Sequence, residues 1–241
     1  MEKLPLFVLP MVLLPGEVQE LRVFEPRYKQ MLDDCLLDNK NFGLVRSDYL
    51  AKINNWDGPM EYGCEAEIIH HETKGSNHFL EIIGRRRFTI SKVHQPALPP
   101  FSDPSMSKFM EKEGIYPDLE SLIDAIPEDV DSSKLYISGD VDFIESSEAM
   151  NQSQQIKLEQ IVRGILNYVG IILRVDDETF SNWIQNSPII GLINDQPESI
   201  YVVSAMLMGD LDLRQEILEA ESIDEVMNIL SMEIEKFSEE E

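Results

Sequence analysis

Through the first 95 residues the apolar positions alternate with polar ones or fall in short runs, which is the signature of β-strands. Residues 4–9 form a short apolar run, a first strand, and Leu14-Pro15-Gly16 is a turn signal. Residues 19–24 alternate polar and apolar side chains and predict a half-buried strand. A helix then starts at Pro26, because a proline's missing N–H is no loss in the first helical turn. Tyr28, Met31, Leu32, Cys35 and Leu36 form its apolar stripe. Residues 42–45, 63–71, 79–83 and 88–93 read as four more strands, with a hairpin turn at Lys74-Gly75-Ser76-Asn77. Residues 49–60, with Asn54-Asn55 and Asp57-Gly58-Pro59, read as a loop.

From 95 to 134 the pattern dissolves. Pro96, Pro99, Pro100 and Pro104 cluster there, and only short helices are expected, near 107–112 and 118–126. Strand character returns at 135–144, which should rejoin the first sheet. After residue 148 the period becomes helical. Leu158, Ile161, Val162, Ile165, Leu166, Val169 and Leu173 mark a long amphipathic helix. Pro197 between Asp195 and Glu198 signals another helix start. Asp212 with Gln215, and Ser222 with Glu225, have capping-box spacing. The last helix carries Ile223, Val226, Met227, Leu230, Ile234 and Phe237 on one face. The expectation is an α+β chain: a β-rich domain over 1–148 containing an insertion at about 95–134, then a helical bundle over 149–241.

Charge sharpens that division. Residues 1–95 hold 14 acids and 12 bases, whereas 96–241 hold 31 acids and 8 bases, in a chain of net charge −25. Such a field repels phosphate backbones and anionic lipid heads and favours basic partners. Cys35 and Cys64 are too few for a disulfide framework and read as reduced structural residues. Residues 4–14 are apolar, but Pro5 and Pro10 interrupt them, Pro15 follows and no small-residue cleavage site comes after, so no signal peptide is expected. With no apolar run near the ~18 residues of a membrane span, the expected setting is cytoplasmic.

Chemistry is sparse. No phosphate-binding loop, nucleophile elbow or zinc-protease motif occurs. Cys64, His70 and His71 are the nearest thing to a metal cluster. Strict alternation along one strand places Cys64 and His70 on one face and His71 on the other, a poor ligand set. Arg85-Arg86-Arg87 is the one basic cluster, and alternation sets Arg85 and Arg87 on one face, able to pair with carboxylates. No catalytic residue, metal ligand or cofactor site is therefore expected. For binding, the candidates are the cations Arg27, Arg85 and Arg87.

Three stretches together carry a family resemblance: Leu4-Pro-Leu-Phe with Leu14-Pro15-Gly16, then Val23-Phe24-Glu25-Pro26-Arg27-Tyr28 with Met31, then Gly84-Arg-Arg-Arg87-Phe88-Thr-Ile90. They resemble the N-terminal substrate-binding domain of Lon proteases, including free-standing proteins made of that domain. The resemblance is strong over about 4–93 and looser over 136–144 and the C-terminal helices. It implies a PUA-like β-barrel followed by a helical bundle, with Phe24 and Tyr28 in the core. It also implies a module that recognises unfolded or tagged polypeptides without the ATPase and peptidase domains that lie downstream in Lon. The acidic insertion departs from the family pattern. A nucleic-acid-binding PUA-like module is the rival reading, kept open by Arg85–Arg87 and opposed by the charge.

Overall fold

The alternating segments pair as antiparallel neighbours, and the segments between them become turns, one helix and one excursion. In the computed structural model the described residues are 2–109, 116–130, 132–145, 149–174, 183–184 and 187–239. The chain divides into two compact units, residues 1–13 with 18–144, and residues 14–17 with 145–241.

The first unit holds β1 (Glu2–Leu9), β2 (Val18–Val23), α1 (Pro26–Asp38), β3 (Phe42–Ile53), β4 (Trp56–Lys74), β5 (Asn77–His94) and β6 (Ser138–Phe143). The strands form one mixed sheet in the order β2-β5-β4-β3-β1-β6, and β6 pairs with β5 as well as β1. Five strands thus form a closed circuit of pairings, and β2 hangs on its outside. Only β1 and β3 run parallel, Leu6 opposite Gly43. The returning segment does rejoin the sheet, but as a strand it begins at Ser138 rather than at 135. Upstream of it, Leu135 gives its N–H to Gln30 Oε1 at 2.7 Å, so a side chain does what a ladder would have done.

Leu4, Leu6, Val8, Val45, Phe88, Ile137 and Val141 form the core of this unit. The Phe88 ring lies so close to the backbone of β4 that a Cβ on Gly63 would fall 2.5 Å from its Cζ. Helix α1 buries Tyr28, Met31, Leu32 and Cys35. Tyr28 donates to the carbonyl of Val8 at 2.8 Å, which satisfies its hydroxyl inside the core. Leu36 and Phe24, both expected inside, are 41% and 42% exposed. At the end of β2 it is Val23 that points inward, so its neighbour Phe24 must point out.

The expected loop at 49–60 is instead a hairpin. β3 continues to Ile53, β4 begins at Trp56, and Asn54 and Asn55 make the two-residue turn with φ of 48° and 66°. Asparagine tolerates this left-handed geometry, which matches strand twist in two-residue turns. Likewise the expected separate strands at 79–83 and 88–93 are one strand, β5, with a bulge between them.

The insertion has a small core of its own, Leu98, Met106, Leu122 and Leu135, with Phe101 and Phe109 packed on it. A 3-10 turn at Pro104–Phe109 and α2 (Leu119–Ile123) cover that cluster, and Asp118 caps α2 by accepting from Ser121 N at 2.8 Å. The expected helix at 107–112 extends past the described residues, which stop at 109. Trp56 Nε1 and Asn54 Nδ2 donate to the carbonyls of Leu98 and Pro96, both at 3.0 Å, and tie the insertion to the β3–β4 hairpin.

The second unit contains α3 (Gln152–Leu173), α4 (Pro188–Gly191), α5 (Glu198–Leu207), α6 (Leu211–Glu219) and α7 (Ile223–Glu239). A reciprocal box of Asn151 and Gln154 starts α3, and Leu158, Ile161, Val162, Ile165 and Leu166 are its buried stripe. Val169 and Leu173, expected on that stripe, are 36% and 67% exposed. The cap of α6 is Asp210, which accepts from Leu213 N at 2.8 Å, so Asp212 lies in the first turn instead of at the cap. Ser222 accepts from Glu225 N at 3.2 Å, but Glu225 reaches back to Glu221 N rather than to Ser222. Ile223, Val226, Met227 and Leu230 of α7 are buried. The side chains of Ile234 and Phe237 lie outside the described residues.

Residues 14–17 belong to this unit. Gly16 has φ of 76°, and a Cβ there would fall 2.7 Å from Val202 Cγ2. The buried Glu17 carboxylate accepts from Leu14 N at 2.9 Å and from Arg214 Nη2 at 2.5 Å. Arg214 also donates to the carbonyl of Ala205 at 3.1 Å, close to the end of α5, where a cation is favoured.

Candidate functional site

An open groove of about 700 Å³ indents the β-rich unit. Its walls come from the last turns of α1, the start of β1, the end of β5 and the segment leading into β6. Helix α1 ends at Asn39, whose left-handed φ of 51° turns the chain sharply and puts Lys40 at the rim. Pro5, Cys35, Val93 and Val130 give the groove apolar surface. Two ion pairs lie on its wall, where Lys134 holds Asp34 at 2.7 Å and Lys40 holds Asp38 at 3.0 Å, and Lys3 adds a further cation. Tyr136 donates its hydroxyl to the same Asp34 at 2.6 Å, and His94 bonds Asp140 at 2.9 Å beside the groove.

Cys35 and Tyr136, on the groove wall, are both held toward their protonated forms. Burial, reinforced by Asp34 and Asp38, pushes the Cys35 thiol up to about 12. Burial and the hydrogen bond to Asp34 raise Tyr136 further above its usual range. A thiol without thiolate character is a poor nucleophile. What the groove offers is therefore shape, apolar contact and polar edges. A second concavity of about 440 Å³ adjoins it, sharing Gln95 and Val130 and adding Leu98, Phe109 and Pro127 from the insertion. Pockets of this size and make-up suit ligand binding.

The three candidate arginines lie elsewhere. Arg27 is stacked 3.5 Å from the Trp56 ring and 4.2 Å from that of Tyr28, and it pairs with Glu25 at 3.1 Å. Arg85 pairs with Glu67 at 2.6 Å in a half-exposed position. Arg87 is 6% exposed. The expected common face of Arg85 and Arg87 is not formed. β5 carries one extra residue between the pairs Ala66–Gly84 and Cys64–Arg87, so Arg87 falls on the face of Cys64 and Ala66. Arg85 and Arg86 bulge to the other face, where Arg86 takes Glu65 through two nitrogens at 2.7 and 3.0 Å and lies 3.5 Å over the Phe143 ring.

A second bulge, at Ile69, reverses the histidines. Ile68 pairs with Ile82 and His70 with Glu81, so His71, not His70, shares the face of Cys64. His71 meets a partner that spacing did not suggest, His78 across the hairpin, with Nε2 and Nδ1 3.1 Å apart. Among the described residues no group of three or more His, Cys, Asp or Glu is arranged to hold a metal ion. Nor is any described helix long and apolar enough to cross a membrane. The groove was invisible in sequence because Lys3, Asp34 and Lys134 are brought together from distant segments.

Comparison with known proteins places these features in a family context. The family model for the ATP-dependent protease La (LON) substrate-binding domain matches residues 3–236. Among solved structures, a Lon N-terminal domain protein from Xanthomonas campestris superposes with a TM-score of 0.59 at 18% identity, covering 96% of this chain and 98% of that one. The N-terminal domain of the Mycobacterium avium complex Lon protease gives a TM-score of 0.55 at 12% identity, with 95% and 96% covered. No curated protein matches.

Proposed function

The chain belongs to the family of the Lon substrate-binding domain, and from that premise we propose that it is a non-enzymatic module that recognises unfolded or tagged polypeptides. The observation that carries the reading is the groove beside α1. It is long because two concavities share Gln95 and Val130, it has apolar surface, and its one cysteine is held as the thiol. An extended peptide needs apolar pockets for alternate side chains and polar edges for its backbone, and this surface has both. The fold that supports it is read as a PUA-like barrel closed by β6, with the helical region as a bundle. Two buried free thiols fit a reducing, cytoplasmic setting.

Val130 is 37% exposed and sits where the two concavities meet. Replacing it with tryptophan obstructs the junction of the two concavities without disturbing the core. The Val130→Trp variant should keep its melting temperature and lose affinity for a fluorescently labelled, permanently unfolded protein. Equal affinity of both proteins for that probe would show that the groove is not the binding surface. Failure of the wild type to bind any unfolded polypeptide would refute the function itself.

A further inference from the structure

The tip of the β4–β5 hairpin gathers three polar side-chain atoms at one point. Lys74 pairs with Asn77, so Gly75 and Ser76 make the turn, and Gly75 takes the left-handed φ of 61° that so tight a turn requires. That register sets Thr73 directly opposite His78. His71, two residues before Thr73, shares its face, because strand residues alternate. His71 Nε2 and His78 Nδ1 are 3.1 Å apart, and Thr73 Oγ1 lies 3.4 Å from the first and 3.3 Å from the second. The three atoms form a nearly equilateral triangle. Thr73 is exposed and the two histidines are half-buried, so water reaches it. Lys74 belongs to the opposite face and is held by Glu72 at 2.8 Å. From α1, Asp33 acts on His78 in the sense that favours positive charge there, and Lys29 in the sense that opposes it.

We propose that this triangle binds a divalent transition cation of the Ni²⁺, Cu²⁺ or Zn²⁺ class, with His71 and His78 as its ligands and the Thr73 hydroxyl at a third position. The inference is independent of the groove and of the polypeptide reading. Imidazole nitrogens bind zinc at about 2.0–2.1 Å. At that distance two nitrogens 3.1 Å apart subtend roughly 100° at the metal, between the octahedral and tetrahedral angles. A point that far from all three atoms lies less than about 1 Å out of their plane, so only small ring rotations are needed to aim both lone pairs at it. Imidazole suits these ions, whereas magnesium and calcium take oxygen ligands. Without a metal the two nitrogens share one hydrogen. On binding, the ring that donates it becomes the other tautomer, so a neutral pair takes up the ion without losing a proton. Two imidazoles and a hydroxyl leave positions open for water. The ion would bridge β4 and β5 and, by binding the folded chain, stabilise it.

The test uses the full chain without an affinity tag, titrated calorimetrically with nickel chloride in an excess of magnesium chloride, which occupies the many carboxylates. Saturable binding of nickel should persist there. His71→Gln and His78→Gln should each weaken it at least about tenfold, since losing even a group behind a ligand costs that much. His70→Gln, on the opposite face, and His94→Gln, beside the groove, should leave it unchanged. The urea midpoint of each variant without metal checks that it folds. Electron paramagnetic resonance of the copper-loaded wild type reads the ligands without any substitution and should show two imidazole nitrogens. Displacement of nickel by magnesium, unchanged affinity in either His71→Gln or His78→Gln, an equal loss in His70→Gln or His94→Gln, or a copper spectrum with oxygen ligands alone would overturn the site.

Discussion

Removing one charge from the Glu17–Arg214 pair should destabilise the helical unit far more than any other ion pair described in the molecule. The two side chains are 7% and 9% exposed and 2.5 Å apart. Glu17 also accepts from Leu14 N, and Arg214 also donates to the carbonyls of Ala205 and Met208 at 3.1 and 3.4 Å. Glu17→Gln keeps the shape and an acceptor but removes the negative charge that faces the guanidinium. Arg214→Met keeps much of the volume but removes the positive charge that faces the carboxylate and the donor to two carbonyls near the end of α5. Breaking a buried pair from one side costs about 3–5 kcal/mol. In a chain of this size that lowers the melting temperature by about 6–20 °C. Urea denaturation followed by circular dichroism measures both single variants and the double variant. A coupling energy of about 2 kcal/mol or more is expected from the cycle. Single-variant losses below about 1 kcal/mol, the worth of a solvent-exposed pair, would show that water screens this one and that the reasoning from burial is wrong.

Other outcomes follow from local geometry. Gly63→Ala should cost about 1–3 kcal/mol, because its Cβ would press on Phe88, and adding Phe88→Leu should recover part of the loss in the same denaturation assay. Asn55→Val should cost about 1–2 kcal/mol at its φ of 66°, whereas Asn55→Gly should be neutral or better. Burial, then the neighbouring His71, lowers the affinity of His78 for a proton; Lys29 of α1 acts in the same direction and Asp33 of α1 against it. The unfolded chain therefore takes that proton first, so stability is full above the ordinary imidazole value near 6.5 and is lost as pH falls through the lower folded value. His78→Asn should flatten this loss between pH 7.5 and 5, and an unchanged pH profile of the urea midpoint would contradict the assignment.

Much of the fold was legible because burial alternates wherever a strand covers the core. The alternation in residues 19–24 and the helical stripe from Tyr28 to Cys35 were both readable for that reason. The β3–β4 hairpin was not, because its outer part puts apolar residues such as Tyr49 and Leu50 into water, 72% and 82% exposed, so they do not alternate with burial. Its one signal was Asn54-Asn55, which Asp57-Gly58-Pro59 just beyond made look like part of a loop. The capping error at α6 has a similar origin: Asp210 and Asp212 are equivalent in composition, and only the helix register chooses between them.

The faces of individual residues were harder still, and the reason bears on where binding can occur. One added residue in β5 and one in β4 leave the composition of each strand unchanged yet move every later side chain to the opposite face. That is why Arg87 is inside while Arg85 and Arg86 are spread over Glu67 and Glu65. A basic triplet that looks in sequence like a patch is, in the fold, one half-exposed ion pair, one pair to the buried Glu65 carboxylate and one buried side chain. Arg27 tells the same story by stacking on Trp56 and Tyr28. Many of the motif residues thus serve packing, Tyr28, Met31 and Arg87 in the β-rich unit and Gly16 in the helical one. The surface proposed for a partner is the groove assembled from α1, β1, β5 and the insertion. It has no local signature, since it needs segments about a hundred residues apart.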